Sequence, residues 1–408
     1  MRGLPRTFWY LWTGSLVNRL GGFVYTFLAL YLTQARHFTV AHAGLVIALY
    51  GAGSFASGPV GGYLADHLGR RLTMLCSFVL GAAAMLQLGF ARAPQHIALS
   101  TFLLGFFSDL FRPALQATVA DVVPPSERTR AYGYLYWAVN LGFAGAAMIA
   151  GFMASRSFTL LFIGDAVTTL GFGIIVYLRV PETHPQREPA LRQRPDPTAP
   201  LRDGVFVAFL LSQFLVMLVG AQGNSTLPID LRDHGIRPAT YGWLLAINGV
   251  MIVLFQTTAI RLVQRFRRAR VLALAALLQG IGFGLTGAAH SLGWYAFTIV
   301  VWTVAELLYS PLSPTVVADL APSSLRGTYQ GTYSMAWGLS SCLAPALGSL
   351  VLGRLGGRAL WSGCFGACVL ATLLHLAVGP ARRRRLEGLG DGSVTREDGV
   401  RGAPADAP

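Results

Sequence analysis

Residues 61–71 read Gly-Gly-Tyr-Leu-Ala-Asp-His-Leu-Gly-Arg-Arg. This segment sets one acid and two arginines between two long apolar stretches, one ending near Leu64 and the next starting near Leu72. A turn this short leaves no room for a domain. It suits a tight hinge where two membrane spans meet at one face of a bilayer. The composition around it agrees. Of the 408 residues, 53% are hydrophobic and 12% charged, against about 25% charged in a soluble domain. Apolar runs of about 20 residues recur, the helix length that crosses roughly 30 Å of hydrocarbon. A membrane β-barrel would show alternating segments of about ten residues instead.

The apolar runs predict an all-α membrane protein with twelve spans, at 8–32, 43–65, 72–91, 97–121, 130–153, 158–179, 204–229, 240–263, 270–288, 293–319, 326–353 and 358–379. The break at 180–203 is rich in Pro and Arg and reads as a linker. It divides a six-helix bundle at 1–179 from a second at 204–379. Residues 380–408 open on Arg382–Arg385, turn Gly- and Asp-rich, and read as a disordered tail. The two bundles repeat with an offset of 198. Pro113 matches Pro311, Ala120-Asp121 matches Ala318-Asp319, Pro124 matches Pro322, Arg128 matches Arg326 and Gly133 matches Gly331. Gly44 with Gly242 and Gly51 with Gly249 keep the same register. Parallel repeats of this kind place a binding site between the halves, near the bilayer midplane.

The net charge is +14, and every basic side chain is arginine. Twenty-three of the 32 arginines fall in the termini and alternate loops, seven in the opposite loops, and Arg19 and Arg112 within spans. This bias places both termini in the cytoplasm of a bacterial cell and accounts for the charge without nucleic acid as a partner. Cys76, Cys342, Cys364 and Cys368 lie in apolar runs with no His or acid at metal-ligand spacing, so no metal is expected. A phosphate-binding loop of the Gly-x-x-x-x-Gly-Lys type needs a lysine that the chain lacks. The expected energy source of any active transport is therefore an ion gradient rather than ATP, with no cofactor and no catalytic residue. The first apolar run is too long for a cleavable signal.

Ionisable residues inside spans are costly and mark functional positions. Arg19 lies midway along span 1, Asp109 midway along span 4 with Arg112 one turn on, and Glu306 midway along span 10. An acid in an apolar cavity can titrate near neutral pH. Ser108 occupies the position equivalent to Glu306, so the repeat does not explain this acid. Glu306 therefore reads as the proton carrier and Asp109–Arg112 as a structural or orienting pair. Asp165 in span 6 reads as a local hydrogen-bonding residue, and Asp121 and Asp319 as latches for loop arginines. Aromatic and polar residues that suit a cavity for amphiphilic ligands are Asn18, Phe23, Tyr25, Trp137, Asn140, Gln222, Asn224, Trp243, Asn248, Trp302, Tyr309 and Trp337.

The order Gly62-x-x-x-Asp66-x-x-Gly69-Arg70-Arg71 resembles the loop between helices 2 and 3 of the major facilitator superfamily. Asn18–Phe23, the helix 4 and 10 segments ending in Ala-Asp, and Tyr136–Gly142 extend the resemblance over residues 8–379. Twelve-helix drug:proton antiporters are the most similar group. The resemblance implies that helices 1, 4, 7 and 10 line a central cavity, and that Asp66 and Arg70 lock one state of an alternating-access cycle. The equivalent stretch Ile260–Arg270 has Gln264 in place of the acid, so the lock is expected on one side only. The antiporters' Gly-Pro run on helix 5 is replaced by Ala146-Ala147, while helix 11 keeps Pro345. The expected function is proton-coupled export of small amphiphilic compounds by a monomer in the cell membrane. An importer or uniporter of a small nutrient, and a non-transporting sensor or assembly factor, remain open.

Overall fold

The computed structural model describes residues 3–22, 24, 27, 28, 31–154, 158–183, 196–236 and 238–400. Among these residues the chain is helical and has no strand. A first group comprises α1 (Arg6–Leu20), α2 (Val40–His67), α3 (Arg70–Phe90), α4a (Pro94–Asp109), α4b (Phe111–Val122), α5 (Arg128–Ala154) and α6 (Phe158–Arg179). A second comprises α7 (Gly204–Gly220), α8 (Pro238–Val263), α9 (Arg268–Thr286), α10 (Leu292–Leu320), α11 (Arg326–Leu355) and α12 (Gly357–Val400). Ten stretches of the described residues are long and apolar enough to cross a membrane, α4a and α4b together making one. The predicted spans at 8–32 and 130–153 fall on α1 and α5, which are not among the ten.

Each group packs around aromatic rings. Phe78 and Phe172 lie 4.5 Å apart in the first group, and Phe283 stacks on Trp302 at 5.6 Å in the second. Large apolar side chains such as Leu45, Phe90, Val167 and Leu254 stay exposed. Lipid tails are as apolar as these side chains, so no hydrophobic force drives them inward.

The predicted fourth span is interrupted at Leu110. Pro113 has no N–H, and its ring conflicts with the carbonyl four residues back, that of Asp109. The hydroxyl of Ser77 on α3 repairs part of the break. It donates to the Phe107 carbonyl at 2.5 Å and accepts from the Phe111 N–H at 3.1 Å. The break leaves Asp109 and Arg112 on successive half-helices beside an internal cavity.

The last helix differs from the disordered tail expected from residue 380, because α12 runs on to Val400. Its arginine run is docked. The Arg382 guanidinium stacks over Phe209 at 5.4 Å, and Arg385 pairs with Asp203 at 2.6 Å. Asp203 also caps α7 through the Phe206 N–H at 3.1 Å and accepts from the Tyr329 hydroxyl at 2.9 Å. Burial pushes the Asp203 carboxyl up, but these hydrogen bonds, Arg385's first, outweigh it and hold the group below the usual carboxylate range.

Candidate functional site

The segment Gly61–Arg71 sits where the two groups meet. Gly69 adopts φ 110°, a conformation that side chains resist, and turns the chain from α2 into α3. Asp66, 2% exposed, ends α2 and faces the start of α11. Its carboxylate accepts the Gly327 N–H at 2.9 Å, the Thr328 N–H at 2.6 Å and the Thr328 hydroxyl at 2.7 Å. The first N–H groups of a helix have no partner within it and carry partial positive charge, so a carboxylate there is doubly favoured. Arg70, fully buried, lies 3.4 Å from Asp66 and 3.0 Å from Asp121. Arg71 donates to the Tyr177 carbonyl and stacks on that ring at 5.2 Å.

Four arginines and two further acids complete this end. Asp121 is held by Arg70 of its own group and by Arg326 of the other, at 2.6 Å. Asp319 is held by Arg268 of its own group and by Arg128 of the other. The offset of 198 maps one set onto the other, Arg70 onto Arg268 included. The expectation of a one-sided lock is therefore corrected for the arginine and stands only for the acid, Gln264. The loop before Arg268 lost its glycines while the cation kept its partner. Glu182, in the linker, was not expected here. Its carboxylate accepts the Arg70 and Arg71 N–H groups at 2.9 and 3.0 Å, capping α3.

Backbone contact closes the same end. Gly58 and Gly62 of α2 meet Gly327 and Gly331 of α11. A Cβ on Gly62 would lie 2.4 Å from the Gly327 carbonyl, and one on Gly331 would lie 2.4 Å from the Gly58 carbonyl. Both pairs are small-xxx-small motifs, which let helices cross at backbone distance. Gly44, Gly242 and Gly249 have no atom within 4 Å of a Cβ position, and Trp243 is 78% exposed. Replacing Asp66 with Asn removes the charge from three hydrogen bonds, each worth about 1.5–3 kcal/mol when a charged group takes part. A cysteine placed at Thr332, 5% exposed on α11, in a cysteine-free background, is expected to react with a soluble maleimide at least ~10-fold faster in D66N. An unchanged rate would show that Asp66 does not hold this end shut.

Glu306 lies at the seam between the groups. The Tyr136 hydroxyl of α5 donates to its Oε1, and the Asn248 amide of α8 donates to Oε2 at 2.7 Å. Among the described residues no arginine lies within 4 Å of it. Glu306 therefore stands apart from the arginines of spans 1 and 4. Arg112 pairs with Asp109 at 2.5 Å, and Ser54 of α2 also donates to that carboxylate. Those two line a cavity of about 90 Å³ inside the first group, together with Asn18, Arg19, Phe143 and Asp165. Glu306 is not part of that wall. Asp165, also in that wall, accepts the Val24 N–H at 3.1 Å.

A hinge of acids and arginines, a carboxylate between two helix groups and a polar chamber within one of them are the parts of a membrane transporter. A sequence model of the Major Facilitator Superfamily matches residues 11–229 and again 209–398. The chain belongs to that superfamily. It is therefore a multi-pass membrane transporter and not an enzyme. A Na(+), Li(+), K(+)/H(+) antiporter of Planococcus maritimus is 26% identical, over 82% of this chain and 88% of its own. The multidrug resistance protein MdtH of Cronobacter sakazakii is also 26% identical, over 86% and 87%. A bacterial homologue of the iron transporter ferroportin, solved in an outward-facing state, superposes with a TM-score of 0.79 at 17% identity, covering 92% of this chain and all of that one.

The transporter uses the other expected cavity residues unevenly. Trp137 donates to the Val253 carbonyl at 2.9 Å and Asn140 to the Tyr136 carbonyl at 2.9 Å, both beside the seam. Tyr309, half-buried, is on the helix of Glu306. Asn18 donates to Thr169 at 3.0 Å in the first group's cavity. Gln222 is buried and tied to the Ala344 carbonyl at 3.1 Å, and Trp302 is buried with its ring stacked on Phe283. Asn224 and Trp337 are exposed. Phe23 and Tyr25 lie outside the described residues.

Proposed function

We propose that this transporter is a proton-coupled exporter of small amphiphilic organic compounds, working by alternating access. Glu306 carries the reading. It is a carboxylate midway along α10, on a seam between groups, held among the described residues by a phenol and an amide. A proton added there changes a bond between the moving parts, which is what coupling requires. The arginine-rich end is the cytoplasmic one, with both termini inside a bacterial plasma membrane. Twelve spans in two six-helix repeats, α1 and α5 included, complete the architecture, and the monomer is the working unit. In this reading the crossing of α2 and α11 is the cytoplasmic closure of the cycle. The names of the drug-resistance and cation/proton antiporter relatives support export driven by protons.

A panel of anionic, neutral and cationic antibacterial compounds tested in an efflux-deficient host checks this. Expression is expected to lower cellular accumulation of at least one amphiphilic compound, and a protonophore is expected to abolish the difference. A difference that survives collapse of the gradient points to a facilitator. No difference for any compound, with the protein present in the membrane, points to the sensor or assembly role.

A further inference from the structure

The cavity inside the first group holds more cationic capacity than its own acids use. Arg112 gives only its Nε edge to Asp109, at 2.5 Å, and its side chain remains 41% exposed toward the cavity. That carboxylate also takes the Ser54 hydroxyl. Asp165, the other acid in the wall, accepts the backbone N–H of Val24 at 3.1 Å. Arg19 shares the wall with Arg112, and among the described residues no carboxylate lies within 4 Å of its guanidinium. The two acids of the wall balance its two arginines in charge, but among the described residues neither carboxylate is in contact with the Arg19 guanidinium, which leaves its N–H donors for an anion in the chamber. The guanidinium fork matches a carboxylate through two parallel hydrogen bonds, and the terminal nitrogens of Arg112 are available for that geometry.

Size and lining narrow the ligand. About 90 Å³ holds several waters, each needing about 10–15 Å³ on the same measure, or the head of an organic acid. It does not hold a whole drug-sized molecule. Phe78, Met85, Leu104, Phe111 and Phe143 make up much of the rest of the wall. Phe143 is exposed, so an apolar body can extend past it from a head anchored at the arginines.

We propose that this cavity is a binding site for an organic anion, and that Arg19 and Arg112 grip its carboxylate. Arg19 supplies the uncommitted charge and Arg112 the open fork. Asp109 and Ser54 hold the Arg112 side chain in place and are positioning residues. The proposal rests on the exporter reading for its meaning, since the anion becomes the part of the substrate that the first group recognises. It makes carboxylate-bearing amphiphiles the preferred cargo.

Calorimetric titration of the purified full chain with benzoate, and with its neutral isostere benzamide, tests it. Saturable benzoate binding is expected, and no benzamide binding. Arg19→Gln breaks no ion pair, so the protein should fold, and benzoate affinity should fall at least ~10-fold, as for loss of a charged hydrogen-bond donor. Arg112→Lys keeps a charge for Asp109 but removes the fork, and a fall of similar size is expected. Equal affinity for benzoate and benzamide, no benzoate binding at all, or an unchanged affinity in R19Q would each overturn the site. Benzoate binding without protonophore-sensitive export of any compound would keep the site and sink the exporter. Proton-dependent export confined to cations, with no benzoate binding, would do the reverse.

Discussion

Glu306→Gln is expected to end proton-driven transport while the protein stays folded. In liposomes holding the purified chain, an imposed pH gradient should drive wild-type substrate movement against its concentration. The E306Q variant should show no more of this than empty liposomes. The amide matches the acid in volume, and its oxygen still accepts the Tyr136 hydroxyl, so the seam between α5 and α10 keeps its packing. The Asn248 amide loses an acceptor at Oε2 and can turn to present its own oxygen. Only the ability to bind and release a proton is removed. Downhill exchange of substrate should therefore persist, because an uncharged side chain at 306 imitates the protonated carrier. Concentrative transport by E306Q would exclude Glu306 as the carrier. If Asp109→Asn abolishes coupling and E306Q does not, the proton belongs to the Asp109–Arg112 pair.

The hinge was legible because its chemistry is local. Gly69, Asp66 and Arg70 stand within eight residues of Gly62, and each has one plausible use in so short a turn. Arg268 was also readable, since the offset that links Pro113 to Pro311 links Arg70 to it. The loss of the neighbouring glycines hid the match. The Asp121 and Asp319 latches were expected with loop arginines, and the sequence does not say which. The structure crosses them, so that Arg326 and Arg128 each reach into the opposite group. Glu182 was beyond reach, because its partners lie 112 and 111 residues away and nothing in the linker marks one acid over another. Periodicity gave the depth of Glu306 but not what faces it, since a helix pattern records the buried face and not the neighbour across the gap. For the same reason it could not show that Trp302 stacks on Phe283.

Gly331→Val is expected to open the arginine-rich end and stop the cycle. In the closed state the Gly331 Cα lies against α2 so closely that a Cβ would sit 2.4 Å from the Gly58 carbonyl oxygen and 3.0 Å from the Gly62 Cα. Both obstacles are backbone, so no rotamer change relieves them. Overpacking of this kind costs about 3 kcal/mol or more, which shifts a two-state balance by roughly 100-fold. The cost falls on one state alone, because the clash exists only when α2 and α11 are crossed. The ion pairs at this end cannot compensate. Asp66 must still reach the Gly327 and Thr328 N–H groups on the first turn of α11, one turn from the intruding side chain. Maleimide labelling at Thr332→Cys, buried in the closed state, should therefore rise towards that of an unfolded control, and transport should fall with it. Gly353→Val, on the same helix with no atom within 4 Å, serves as the control and should leave both readings unchanged. Wild-type transport by G331V would mean that the crossing at Gly58–Gly62 and Gly327–Gly331 is not the contact that has to form and break in each turn of the cycle.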